Sequence, residues 1–132
     1  MVAAECGAQG AVSGSQQGTS ITEIQSLIRS KEYDQALALT KAGLKETPTD
    51  YRMWTIQGIA QSLQGDTSQA LTSFDKALRL SPGYMPALKG EVQMLVQSGD
   101  ERAIPLLSRI IKADPHDVTA HEMLAALEHP GT

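Results

Sequence analysis

The sequence predicts an all-α solenoid of three helix-turn-helix hairpins followed by a C-terminal capping helix, and three observations carry that prediction. The first is a fixed step in the chain. Ala36, Ala70 and Ala103 are separated by 34 and 33 residues, and so are Pro48, Pro82 and Pro115. Leu37, Leu71 and Ile104 keep the same step, as do Leu44, Leu78 and Ile111, while Gly65 and Gly99 lie 34 apart. One residue is missing between Gly99 and Ala103, which accounts for the single shorter step. The second is the period inside a unit. Ala70, Leu71, Phe74, Ala77 and Leu78 follow i, i+1, i+4, i+7, i+8, one stripe of an α-helix. The third is composition. The 132 residues are 41% hydrophobic but only 4% aromatic, with a net charge of −4. This suits one modest domain with a core of Leu, Ile, Ala and Val.

Residues 1 to 19 are mostly Ala, Gly, Ser, Gln and Thr. Such a stretch buries too little apolar surface to offset its ordering entropy and is expected to be a disordered tail or linker. Order is expected from Ser20-Ile21-Thr22-Glu23, which has the form of a capping box, through residue 130. The repeats run over about 17–50, 51–84 and 85–117. In the middle unit Asp50 is the expected N-cap of a helix carrying Trp54, Gly58 and Leu63, and Gly65 closes it in the left-handed conformation. Asp66 or Thr67 caps the second helix, and Pro82 follows its end. Gly58, Ala70 and Ala77 let two backbones approach, with Trp54 and Phe74 filling the space beside them. Pro105 falls early in the third unit's second helix and should bend it or loosen its first turns. Asp117 caps a last helix, Val118 to about His129, ended by Pro130-Gly131. Leu124 and Ala125 resemble first-helix packing residues, and with no second helix following, this element covers the end of the array. An isolated hairpin leaves one apolar face wet, so the units must stack.

Several classes are excluded or disfavoured. Apolar runs fall well short of the ~18–20 residues that cross a bilayer, so no membrane span is expected. Cys6 is the only cysteine, which rules out an internal disulfide and Cys-based metal sites. The start, MVAAECGAQGAV, lacks a basic segment followed by an apolar run, so it is not an intact signal peptide, and no hydrophobic run precedes Cys6 as a lipidation signal requires. The compartment is otherwise open. An acidic balance with few aromatics argues against nucleic acid. His116, His121 and His129 are the only histidines. Position 125 is Ala, so the two-His helical zinc motif is absent, and no metal or cofactor is expected. No Gly-Ser elbow or phosphate-cradling glycine loop is present, so there is no catalytic residue to name and the chain is not expected to be an enzyme.

The pattern resembles the tetratricopeptide repeat (TPR). Trp54, Gly58, Ala70, Phe74, Ala77 and Pro82 stand where that family's 34-residue signature places Trp, Gly, Ala, Phe, Ala and Pro, and Gln61 replaces the usual Tyr. The first unit keeps Tyr33, Ala36, Leu44 and Pro48 but has Thr40 and Gly43 at two packing positions. The third keeps Gly99-Asp100, Ala103, Leu107 and Pro115, with Ile110 where a small residue is usual. The resemblance covers about residues 17–129 and implies a right-handed superhelix whose first helices line a concave groove for a peptide.

Mapped onto this chain, the groove positions are Gln25 and Arg29 from unit one, Arg52, Ile56 and Ile59 from unit two, and Lys89, Gln93 and Gln97 from unit three. Ile21, Leu63, Glu122 and Met123 lie at the same register. Arg29, Arg52 and Lys89 give the groove a positive edge, which favours an acidic segment. The three glutamines can hydrogen-bond peptide backbone, and Ile56 and Ile59 can hold an apolar side chain. The plainer reading is that the cations are merely solvated and that Ile56 packs between helices. The subclass that clamps the C-terminal carboxylate of heat-shock chaperones needs Lys, Asn and Arg where this chain has Ile21, Gln25, Ile56, Pro86 and Gly90. The chain contains no Asn, so that clamp is not expected. The resulting expectation is a non-catalytic scaffold for a protein or peptide partner. The alternative is a structural or self-associating, homo-oligomeric module, or one piece of a larger multidomain protein.

Overall fold

The protein's structure, a computed structural model, describes residues 20–129; the expected N-terminal tail and Pro130-Gly131 lie outside them. The described residues form seven helices and no strand. In order these are α1 (Ile21–Arg29), α2 (Tyr33–Glu46), α3 (Tyr51–Leu63), α4 (Thr67–Leu80), α5 (Met85–Gln97), α6 (Ala103–Ala113) and α7 (Val118–Glu128). Each helix packs on the next, and α3 also packs on α1 and on α5. The architecture is an all-α helical solenoid in which first helices lie beside first helices.

Local chemistry sets most boundaries. Asp50 accepts from the Arg52 and Met53 N–H groups at 3.1 and 3.3 Å, Asp66 from Gln69 at 3.2 Å, and Asp117 from Ala120 at 3.0 Å. Each side chain thereby satisfies N–H groups that the first turn leaves free. Ser20 differs from expectation. It has extended N-cap backbone, but its side chain makes no capping hydrogen bond. First helices end by a shared device. The Asp66 N–H reaches back to the Gln61 carbonyl at 2.9 Å across Gly65, and the Asp100 N–H to Leu95 at 2.8 Å across Gly99. In the first hairpin the Glu32 N–H reaches Leu27 at 2.8 Å, with Lys31 at the glycine register and φ of 64°. Lys31 is the only non-glycine residue with positive φ among the described residues.

Pro105 is the third residue of α6, within the turn whose N–H groups have no intrahelical acceptor. The turn ahead of it is closed by i→i−3 bonds from Ala103 to Asp100 and from Ile104 to Glu101. Consequently α6 has 11 residues where α2 and α4 have 14.

The core is a row of three apolar clusters. Ile24, Ala36, Leu44, Met53 and Ile56 form the first, and Ala70, Phe74, Ala77, Ala87 and Met94 the second. Leu88, Val92, Leu107 and Ile110 anchor the third, against which Met123, Leu124 and Leu127 of α7 pack. Phe74 is central to the middle cluster. A Cβ added to Gly58 would lie 2.8 Å from its ring, and one added to Gly90 2.6 Å. The ring therefore sits between α3 and α5, and only glycine permits that approach on either side. Trp54 works at the outer edge. Its Nε1 donates to the Pro48 carbonyl at 2.8 Å, and Lys76 Nζ stands 4.6 Å from the ring centroid.

A polar chain crosses the first two hairpins. Thr40, Gln57, Gln61 and Ser73 are all buried. The Ser73 hydroxyl donates to Gln61 Oε1 at 2.6 Å and accepts from Gln57 Nε2 at 3.2 Å. Gln61 Nε2 donates to Gln69 Oε1 at 3.1 Å. Thr40 Oγ1 donates to the Leu37 carbonyl at 2.9 Å and lies 3.4 Å from Gln57 Oε1. Gln61 and Thr40, two of the departures from the repeat signature, are thus parts of one hydrogen-bonded network, which is what buried polar groups require.

Candidate ligand-binding groove

Three pockets open in sequence along the row of first helices. Between α1 and α3, Gln25, Ile28, Arg29, Ile56 and Ile59 line a volume of about 270 Å³. Between α3 and α5, about 220 Å³ is walled by Ile59, Leu63, Phe74, Met94, Gln93 and Gln97. Beyond α5, Val92, Leu107, Ile110, Met123, Lys89 and Gln93 help to line about 270 Å³ against α7. Ile59 belongs to the first two pockets and Gln93 to the last two. The three therefore form one continuous row. Their floors include core side chains: Ile56 in the first, Phe74 and Met94 in the second, and Val92, Leu107 and Ile110 in the third.

Seven of the eight groove residues expected from the sequence line this row: Gln25, Arg29, Ile56 and Ile59 at one end, Lys89, Gln93 and Gln97 towards the other. Ile56 is buried and belongs to the first core cluster while also flooring the first pocket. Arg52 lines none of the three. It sits at the start of α3, with its Nε 3.8 Å from the carboxylate of Asp50.

The cations differ in what they face. Lys89 Nζ pairs with Asp117 at 3.2 Å, on the carboxylate whose other oxygen caps α7. The helix N–H and the ammonium together hold the Asp117 carboxyl below the usual aspartate range. Arg29 is exposed and makes no ion pair among the described residues. Sequence reasoning missed the Lys89–Asp117 pair, whose partners are 28 positions apart, and it missed Ile28, Ser62, Met94 and Thr119 as lining residues. The i, i+3 and i+4 neighbours of residues already placed in the groove were the available signal for Ile28 and Met94.

The other flank of α5 carries a separate hollow of about 450 Å³ between Leu71, Thr72 and Asp75 of α4, Glu91 and Leu95 of α5, and Leu106 of α6, with Arg102 at its edge. Burial, and then the like charge of Asp75, raise the Glu91 carboxyl above the usual glutamate range, although Arg102 and Arg109 oppose this. Asp75 is itself paired with Arg79 at 2.8 Å, and Arg102 with Asp100 at 2.7 Å. No cluster of three or more His, Cys, Asp or Glu with metal-binding geometry occurs among the described residues, and none of their helices is long and apolar enough to cross a membrane.

The cytochrome c-type biogenesis protein H TPR domain, as a family model, matches residues 13–129. The chain belongs to this TPR family. Among curated proteins the TPR domain is similar to human superkiller complex protein 3, at 32% identity over 72 residues. That match takes in 54% of this chain and only 5% of the human protein. Among solved structures, MamA (residues 41 to the end) from Desulfovibrio magneticus RS-1 superposes with a TM-score of 0.75 at 27% identity, over 80% of this chain and 60% of that one. The Yersinia enterocolitica type III secretion chaperone SycD, in complex with a peptide of the translocator YopD, superposes with a TM-score of 0.73 over 81% of this chain and 88% of its own. Its identity is 16%, so that likeness concerns the fold.

Proposed function

We propose that this TPR domain is a non-catalytic module that binds a polypeptide segment along the groove formed by α1, α3, α5 and α7. The observation that supports this best is the unbroken row of three pockets, each with an apolar floor and at least one amide or hydroxyl side chain on its rim. Apolar pockets with a few placed polar groups suit side-chain anchors. The solved SycD complex adds support by analogy of fold, since that protein is seen with a peptide. The family's link to cytochrome c-type biogenesis supports a polypeptide handled in that process as the first partner to test.

The proposal does not extend to clamping a chain-terminal carboxylate as some TPR domains do. Gly90, one of the matching positions, cannot carry a side chain without displacing Phe74, because a Cβ there would lie 2.6 Å from the ring. The other positions, Ile21, Gln25, Ile56 and Pro86, bring no cation.

The test is selection of a 12-residue peptide library on the full chain, followed by titration of the selected peptides against variants. Ile59→Glu alters a half-buried residue shared by two pockets and is expected to abolish binding while helical circular dichroism is retained. Arg79→Glu, on exposed α4 surface, should leave binding unchanged. Peptides that bind the Ile59→Glu protein as tightly as the parent would place recognition elsewhere.

A further inference from the structure

The groove's charges and spacing go further than its existence, and this inference rests on the groove reading above. Three cations were available from the sequence, but among the described residues only one lacks an ion-pair partner. Lys89 is neutralised by Asp117, and Arg52 leans on Asp50 outside the pockets. Among the described residues Arg29 alone of the three lines a pocket without a partner carboxylate, beside Ile28, Ile56 and Ile59. A uniformly acidic segment would therefore find one counter-charge in the α1 pocket and two largely apolar pockets after it. An acidic side chain buried without a counter-charge is costly.

Spacing narrows the backbone. Packed helices lie ~8–10 Å apart and α3 packs on both α1 and α5, so the pockets they form are expected to recur at about that distance. A polyproline-II segment advances ~3.1 Å per residue and returns to the same face every ~3 residues, a step of about 9.3 Å. A flat β-strand repeats its face every ~6.7 Å, which falls out of register. An α-helix regains the step only at i+7. Its backbone would also have no use for Gln25, Gln93 and Gln97, whose exposed amides stand along the row. A polyproline-II backbone makes no internal hydrogen bonds and leaves every carbonyl and N–H available to such amides.

We propose that the groove takes a polyproline-II-like segment with apolar side chains at every third residue, seated in the three successive pockets, and one carboxylate side chain at the α1 end, paired with Arg29.

Labelled ten-residue peptides on the full chain test this, read by fluorescence anisotropy with NMR shift mapping. One set holds three leucines at every third position, with Asp before the first or after the last to cover both chain directions. Its controls place the same leucines at every second or fourth position, or seven apart in a helix-stabilised peptide. The every-third peptide, in one of the two directions, is expected to bind at least about tenfold tighter than each control, since one lost apolar seat is worth roughly that factor. Arg29→Ala should weaken the Asp peptide about threefold more than its Asn analogue, the scale of an exposed ion pair.

Equal binding of all spacings, preference for the helical peptide, or the same loss for Asp and Asn peptides would overturn the proposal. Library peptides that still depend on Ile59 would in those cases leave the groove reading standing. If neither designed nor library peptides show Ile59-dependent binding, both readings fall.

Discussion

In the middle hairpin a phenyl ring lies between two glycines, whereas the first hairpin has Thr40 at the ring's register and Ile24 at the glycine's. The 34-residue step pairs Phe74 with Thr40 and Gly58 with Ile24, so bulk has moved from the second helix to the first. Ile24 and Thr40 are both fully buried, as is Phe74 within 1%. The third hairpin takes a middle course, with Val92 and Leu107 at the same two registers. What recurs along the chain is a filled volume rather than a residue, as close packing of interiors requires. The hydroxyl of Thr40 has a further consequence. It brings a polar group into the core, and Gln57, Ser73 and Gln61 answer it across two helices.

The largest effect is expected where the middle hairpin concentrates its packing in one side chain. Phe74→Ala should cost about 3–5 kcal/mol by loss of transfer energy and a residual cavity, read as a lower midpoint in urea unfolding. Thr40→Ala, at the same register, should cost far less, because it removes one methyl and one hydroxyl. Similar losses at the two sites would mean that the hairpins are packed alike and the comparison is wrong.

Next comes the polar chain itself. Gln57→Leu removes the donor to Ser73 and the neighbour of Thr40 while adding apolar bulk of similar size. A buried hydroxyl left short of a partner costs about 1–3 kcal/mol, so destabilisation within that range is expected. Replacing Thr40, Gln57, Gln61 and Ser73 together by apolar residues of matching volume should recover most of it, since removing all partners leaves nothing unsatisfied. A quadruple variant as unstable as the single one would show that shape, not hydrogen bonding, is what these residues supply.

How much of this was legible in the sequence follows from range. Asp50, Asp66 and Asp117 act on N–H groups two or three residues ahead, and all three caps follow from local spacing. Ala70 is visible because the repeat shows Ala36 and Ala103 at its register, and Gly58, Phe74 and Ala77 because they match the TPR signature. The bonds from Gln57 to Ser73 and from Lys89 to Asp117 join residues 16 and 28 positions apart on different helices. No periodicity marks them. The row of pockets was legible as a register and its charge balance was not, because a cation's partner depends on rotamers across a helix boundary. Lys31 was within reach: Gly65 and Gly99 mark a left-handed position, and one more step back along the repeat lands on it.

That residue gives the third prediction. Lys31 has a φ of 64°, where a side chain is disfavoured and glycine is not. Lys31→Gly copies the middle hairpin's turn into the first and should stabilise by about 0.5–1 kcal/mol, less the entropy that glycine adds to the unfolded chain. Gly43→Ala makes a companion graft, since Ala77 is its counterpart. The added Cβ would meet the Met53 side chain, its terminal methyl nearest at 3.0 Å. That methyl can swing aside, and the gain in helix propensity is up to about 1 kcal/mol. Thermal unfolding of each variant measures both, and a fall in melting temperature for Lys31→Gly would mean that its side chain does more than tolerate the turn.

The smallest effect carries the comparison to the third hairpin. Glu91 stands one repeat after Gln57, so a carboxyl occupies the register where the middle hairpin has a neutral amide. Burial and Asp75 raise its pKa, against the pull of Arg102 and Arg109. A carboxyl whose folded pKa exceeds its unfolded one stabilises fully below the unfolded value and loses that contribution as pH rises through the folded value. At neutral pH the charged Glu91 therefore opposes folding. Glu91→Gln, which does not titrate, should be slightly more stable than the parent at pH 7, with the advantage shrinking as pH falls through the glutamate range. Asp117 has the opposite sign. Its lowered pKa means stabilisation that is present above the unfolded value and lost as pH falls through the folded one. Asp117→Asn should thus flatten the acid limb that Glu91→Gln leaves in place. Urea midpoints measured from about pH 3 to 7 separate the two. A Glu91→Gln protein less stable than the parent at pH 7 would show that Arg102 and Arg109 outweigh burial and Asp75, making the third hairpin's carboxylate an ion-pair partner rather than a misplaced counterpart of Gln57.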